Sequence, residues 1–183
     1  RNHIFAKLDL KFGDEKNYNS DLLINIEKVS NDTYLRVHDI NTSLVKSENT
    51  NLKNKIDYNF SKGDMFLNIS GTIYENLRVK TNDRYEYIPN IIYGKTFFTE
   101  RYGTFDFKSD ALYKNYETNK HLSSLTNDIV WSPGDFISKS GWVNTIQGAL
   151  KNINYNAKNT SDYKTAGTVN ELSSVFSYKR SLP

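Results

Sequence analysis

Side chains able to do chemistry are few in this chain and poorly placed for it. His3, His38 and His121 lie far apart, and none sits in a metal-type spacing such as H-E-x-x-H. Asp39 follows His38 directly, but an adjacent pair in a turn-prone polar stretch reads as solvated, not as a base with its orienting acid. Asp106 and Asp110 would share one strand face with Lys108 between them, a charge-balanced surface and not an acid–base couple. Gly-rich phosphate cradles and the G-x-S-x-G elbow are missing from the sequence. There is no cysteine, so neither a disulfide nor a thiolate metal site can be built. Triplets such as Asn68-Ile69-Ser70 fit the glycosylation pattern, yet a chain rich in Asn and Ser makes them by chance. The residues predict no enzyme, no resident cofactor and no metal site.

What the sequence does specify is a two-residue alternation, which in a strand sends successive side chains to opposite faces. Ile4–Phe12 puts Ile4, Ala6, Leu8, Leu10 and Phe12 on one face. Leu22–Val29 aligns Leu22, Ile24 and Ile26. Asn51–Phe60 sets Leu52, Ile56, Tyr58 and Phe60 against Lys53, Lys55, Asp57 and Asn59. Met65–Leu77 sets Met65, Leu67, Ile69 and Ile73 against Phe66, Asn68, Ser70 and Thr72, with Glu75 the exception on its face. Arg84–Gly94 aligns Tyr85, Tyr87, Ile91 and Tyr93, with Pro89 among them, which predicts a bulge or local irregularity. Thr104–Tyr116 sets Phe105, Phe107, Ala111 and Tyr113 against Asp106, Lys108, Asp110 and Lys114. His121–Trp131, Trp142–Tyr155 and Val169–Arg180 complete about nine strands. Ser30–Thr50 reads as a long polar connection, and Ser61–Asp64 as a short turn with Gly63 at positive φ. The fold class is all-β, an antiparallel up-and-down meander. Alone, the segment would be a curled open sheet.

Two surroundings could explain such ribbons. A soluble sandwich alternates because one face is core and the other water. A membrane barrel alternates because one face meets lipid and the other a hydrated lumen. The chain has 183 residues, 37% of them hydrophobic, with 13 Tyr and 10 Phe. No run approaches the ~20 apolar residues of a helical span. A mean hydropathy of −0.67 is compatible with barrel strands, which expose only alternate residues to lipid. The net charge of +3 is scattered and predicts no nucleic-acid partner. Three features favour the barrel. Several ribbons exceed ten residues and match the ~9–11 needed to cross at a steep tilt. The polar face is charged along its length. Phe12, Phe60, Tyr85, Tyr116, Trp131, Trp142, Tyr155 and Tyr178 sit near strand ends, where interfacial belts would put them. The lipid-facing set is then Leu52, Ile56, Tyr58, Met65, Leu67, Ile69, Phe105 and Phe107. The lumen-facing set is Lys53, Lys55, Asp57, Asp106, Lys108 and Asp110.

Longer blocks carry a family resemblance. Ser30–Asp39 (SNDTYLRVHD) is similar to the loop after an early barrel hairpin in the LptD (Imp, OstA) family of lipopolysaccharide-assembly proteins. Arg84–Tyr93 (RYEYIPNIIY) resembles that family's strand of tyrosine, acid and then P-x-I-x-Y. Gly103–Tyr116 (GTFDFKSDALYKNY), Leu125–Trp131 (LTNDIVW) and Asn170–Pro183 (NELSSVFSYKRSLP) are similar to successive strands of the same barrel. The resemblance is collinear over residues 1–183, and no single block is diagnostic. It implies an internal piece of a Gram-negative outer-membrane barrel that moves lipopolysaccharide into the outer leaflet without covalent chemistry. The implied partners are lipopolysaccharide, outer-membrane lipid, an LptE-type plug lipoprotein and, through a domain outside this segment, the periplasmic lipopolysaccharide bridge. Both ends are expected to be internal cuts. No gate residue is carried over, because the family's lateral gate joins its first and last strands. The disulfides of many members have no counterpart here.

Overall fold

A computed structural model describes residues 2–14, 17–117, 120–160 and 167–182. It is all-β, one antiparallel sheet with neighbours almost wholly in chain order. The strands are β1 (His3–Asp14), β2 (Tyr18–Val29), β3 (Asn51–Lys62), β4 (Met65–Asn76), β5 (Tyr85–Thr99), β6 (Gly103–Tyr116), β7 (Lys120–Ser132), β8 (Asp135–Ile137), β9 (Val143–Lys158) and β10 (Gly167–Ser181). β8 has three residues, too few to show an alternation, and it falls between the expected strands His121–Trp131 and Trp142–Tyr155. It lies beside Val143–Thr145 of β9, continuing the row that β7 leaves at Trp131. The sheet is not closed on itself, and β1 and β10 are its edges.

Tight turns fix the register of the hairpins. Lys62 pairs with Met65 across Gly63-Asp64, and Gly63 carries φ +53, a conformation that costs glycine little. Pro89 brings the local irregularity expected of it, a gap in the β5–β6 ladder at Ile88 and Pro89, and no bulge. Its pairing with Gly71 continues the β4–β5 ladder without a shift. On the β6 side Tyr87 pairs with Asn115 and Asn90 with Leu112, so the register is the same before and after Pro89. Proline lacks the N–H that the ladder would use, but a local gap without an inserted residue absorbs that loss.

The buried core lies at one end of the sheet and not between two layers. The β2–β3 ladder stops at Asn25–Lys55, although both strands run on. The 30–50 connection packs at this splayed end, with one helical turn, α1 (Tyr34–Val37). Leu35 and Val45 from the connection bury against Leu52 and Leu77, with Phe5, Val29, Ile40 and Leu44 around them. The sequence reading saw only a polar link, because these apolar residues follow neither a two- nor a 3.6-residue period. Arg84, in a 3-10 turn at Asn82–Arg84, ties the connection down. Its Nη2 reaches Asp32 Oδ1 at 2.6 Å and Glu75 Oε1 at 2.7 Å. The hydrogen bond to Asp32 pushes the guanidinium pKa further up, against the opposing effect of burial, so the clamp stays charged.

Candidate functional site

The register sorts the sheet into two faces. Tyr58 pairs with Ile69, Ile69 with Ile91, Ile91 with Ala111 and Ala111 with Leu125, so these side chains share a face. Leu52, Ile56, Tyr58, Met65, Leu67, Ile69, Phe105 and Phe107 all belong to that face by the same pairings. Lys53, Lys55, Asp57, Asp106, Lys108 and Asp110 all belong to the other. They form two separate groups there, on β3 and β6, with β4 and β5 between them. Leu52 departs from the expectation for its set. It shares the apolar face but is 0% exposed, because the 30–50 connection covers it, so it belongs to the core cluster.

Midway along the central strands burial runs opposite to that of a soluble sheet, whereas near the short-turn end Phe105 and Phe107 are half-buried and Asp106 and Lys108 are exposed. Ile69 is 42% exposed and Ile91 48%, while Asn68, Ser70, Asn90 and Ile92 beside them are half-buried. On β7, Leu125 and Ile129 are exposed, while Thr126 and Asp128 are half-buried. Crowding of the polar side chains is what curvature toward that face produces. The apolar face therefore stands outward without a covering layer, and a soluble sheet would bury it.

Aromatic rings concentrate toward the end of the sheet with the short turns at 63–64 and 100–102. There Tyr18 stacks on Phe60 with centroids 5.9 Å apart, Phe105 on Trp131 at 6.4 Å, and Tyr93 lies 6.2 Å from Phe107. At the opposite end Tyr87 closes the apolar band, with Tyr85 beyond it 6.2 Å away. Tyr116 and Tyr155 fall on the polar face instead and join neither band, since each continues the alternation of its strand away from the apolar side. The apolar band also crosses the register obliquely. Toward the loops it ends at Tyr87 on β5, Tyr113 on β6 and Leu125 on β7. Tyr87 pairs with Asn115, and Asn115 with His121, so each limit lies further from the loops than the last. Beyond it the face turns polar. Asn152 Nδ2 donates to Asn170 Oδ1 at 3.2 Å, and Asn156 Nδ2 to Thr168 Oγ1 at 2.8 Å.

The polar face is held by pairs of opposite sign. Lys55 and Asp57 form an ion pair, and Asn68 Nδ2 donates to Asp57 Oδ1 at 2.7 Å. Thr96 Oγ1 donates to Asp106 Oδ1 at 2.6 Å, while Lys108 sits opposite Asp128 and Asp110 opposite Thr126. Lys53 Nζ stands 5.6 Å from the centroid of the Tyr74 ring. The sequence reading missed two further pairs, Lys114–Glu86 at 2.8 Å and Lys151–Asp128 at 3.3 Å. The alternation that singled out Lys55 and Asp106 extends to them too, on β5, β6, β7 and β9.

Groups that could have suggested catalysis are engaged elsewhere. His38 lies against the Tyr34 ring at 4.5 Å, while Asp39 Oδ1 accepts from Asn41 at 2.9 Å, so the adjacent residues form no dyad. His3 Nδ1 and Tyr34 Oη are 2.7 Å apart, which brings two histidines around one tyrosine at an exposed site. Among the described residues no group of three or more His, Asp or Glu could hold a metal ion. No helix among them is long and apolar enough to cross a membrane, which leaves strands unaddressed. No protein-family model matches the chain, and no curated protein matches it significantly.

Proposed function

We propose that this chain forms part of the wall of an outer-membrane β-barrel, with the apolar face in lipid and the polar face toward a hydrated interior. The observation that carries this reading is the exposure of Ile69, Ile91, Leu125 and Ile129 on strands whose polar residues are the more buried. In lipid the exposed apolar band costs nothing, and the ladder satisfies the backbone where no water can. From Tyr87 to Phe97 the band of β5 spans ten residues, about 33 Å along the strand and about 25 Å at a ~40° tilt, the height of a barrel's apolar belt. Tilted strands also account for the oblique course of the band.

Orientation follows from the connections. Residues 15–17, 63–64, 100–102 and 133–142 link strands at one end and 30–50, 77–84, 117–119 and 159–166 at the other, so three of four links are short at the first end and three of four long at the second. Barrels keep short turns on the periplasmic side, so the Arg84-clamped connection faces outward from the cell. The cargo is read from the LptD resemblance: phosphorylated glycolipid moving inside the barrel toward the outer leaflet, beside an LptE-type plug. Sign-mixed pairs such as Lys55–Asp57 suit a hydrated wall that does not trap such an anion.

The test is a pair of neighbouring substitutions in the full-length protein. Ile69→Lys places a charge in lipid at ~2–4 kcal/mol and should abolish or sharply reduce assembled barrel in the membrane fraction. Ser70→Lys should leave assembly near the parental level. Equal loss from both overturns the facing assignment. An upstream plug domain in the full reading frame, in place of a domain that receives lipopolysaccharide from the periplasmic bridge, would move the cargo to that of another channel or receptor.

A further inference from the structure

We propose that the outward apolar face carries a site for one anionic diacyl phospholipid, with its phosphate between Lys62 and Lys95 and an acyl chain ending in a groove at Gly71 and Pro89. The proposal rests on the lipid-facing reading of that face and adds a particular ligand to it. Lys62 pairs with Met65 and Met65 with Lys95, so two cations flank one methionine on the same face. Their Cα atoms stand two strand spacings apart, about 9–10 Å, a gap that two long side chains close around a phosphate. Lys95 Nζ already lies 4.8 Å from the Phe97 ring centroid, at the aromatic end of the band. Neither lysine has a carboxylate within ion-pair distance among the described residues. Asp14, the one acid on the strands at this end of the face, accepts from Asn17 Nδ2 at 3.2 Å.

The groove is a separate feature of the same face. It encloses about 470 Å³, within the range of small-molecule sites. Its walls include Ile24, Ile56, Ile73, Tyr87 and Tyr113, and its floor is Gly71 opposite Pro89. A glycine facing a compact ring leaves a dent where the neighbouring rows carry isoleucine and tyrosine. From Lys95 to Pro89 is six residues, about 20 Å along the strand and about 15 Å along the normal at a ~40° tilt. That is half of the ~30 Å hydrocarbon thickness. A headgroup at the lysines sits two residues inside the short-turn edge of the Tyr87–Phe97 band, and its chain end reaches the groove two residues short of the other edge.

Native mass spectrometry of the full-length protein after partial delipidation, in an equal mixture of phosphatidylglycerol and phosphatidylcholine, reads the site. One phosphatidylglycerol should stay bound in preference to phosphatidylcholine. Lys62→Gln and Lys95→Gln should each lower its retention about fivefold, the effect of roughly 1 kcal/mol per lysine at a membrane surface. Gly71→Leu should lower retention of the long-chain lipid and spare a short-chain phosphatidylglycerol. The backbone tolerates this change, since a Cβ there would meet only the Ile56 side chain, at 3.4 Å. Equal retention of the two lipids by the parent, or no effect of Gly71→Leu, overturns the site. A nitroxide at Ile91 in bilayers separates the two levels of failure. If oxygen reaches it and a water-soluble nickel complex does not, only the site falls; the reverse removes the lipid-facing reading as well.

Discussion

Arg84 is the residue on which the most separate pieces of chain converge. It holds Asp32 of the 30–50 connection and Glu75 of β4, with its side chain 18% exposed. Replacing it by Ala leaves two carboxylates facing each other without a counter-charge. Charge-assisted hydrogen bonds of this kind contribute about 1.5–3 kcal/mol. Arg84→Ala should lower stability by that amount and open residues 38–50 to limited proteolysis, with β6 and β7 unaffected. An unchanged digestion pattern would show that packing of Leu35 and Val45 alone holds the connection. Leu35→Ala should cost about 2–5 kcal/mol, read from the urea midpoint of the assembled protein. At this scale the sequence was legible for the two faces, since every member of the Lys53 and Ile56 sets keeps its side of the sheet. Leu52 was not legible, because alternation reports which face a residue takes and not what later chain covers it. Tyr116 and Tyr155 show the converse: closeness to a strand end does not assign a ring to a belt unless its parity agrees.

Among the elements, the β2–β3 seam departs furthest from a plain ladder. Beyond Asn25–Lys55 side chains replace backbone partners. Lys53 N–H donates to Glu27 Oε2 at 2.8 Å, Glu27 N–H donates to Asn54 Oδ1 at 2.9 Å, and Asn25 Nδ2 donates to Lys53 carbonyl at 2.7 Å. Glu27 is 8% exposed, so its carboxylate stands in for a missing stretch of strand pairing. Glu27→Ala should speed amide exchange at Lys53 and along 27–29 by at least tenfold while β4–β6 amides stay protected, measured by hydrogen exchange. Uniform protection would mean that the 30–50 connection closes the seam without it. The long strands were legible from their period of two, and several extend past the limits it suggested, β5 to Thr99 and β9 to Lys158. Alternation fades where Phe97 and Phe98 are both exposed, and where Asn and Tyr mix along β9. α1 and β8 are shorter than any window in which a period can be seen. The irregularity at Pro89 was legible and stays local, because register is held by the whole of β4 and β6 on either side.

As a whole molecule, the sheet has two unpaired edges and one uncovered apolar face. β10 is exposed along nearly its full length, with Leu172, Val175 and Phe176 each at 66–68%. In buffer without detergent the isolated chain should therefore aggregate through its edges and that face, as light scattering would show. A monodisperse, folded chain in plain buffer would favour a soluble sheet. The inverted burial midway along the strands could not be read from composition, since a mean hydropathy of −0.67 describes a water-soluble domain equally well. The measurement that bears most directly on the facing of this wall is nitroxide accessibility along β5 in lipid bilayers. The chain has no cysteine, so labels at Asn90, Ile91, Ile92 and Tyr93 report one site at a time within it. Oxygen accessibility should peak at Ile91 and Tyr93, and that of a water-soluble nickel complex at Asn90 and Ile92. Nickel peaks at Ile91 and Tyr93, or the absence of any two-residue period, would contradict a wall with its apolar face in lipid.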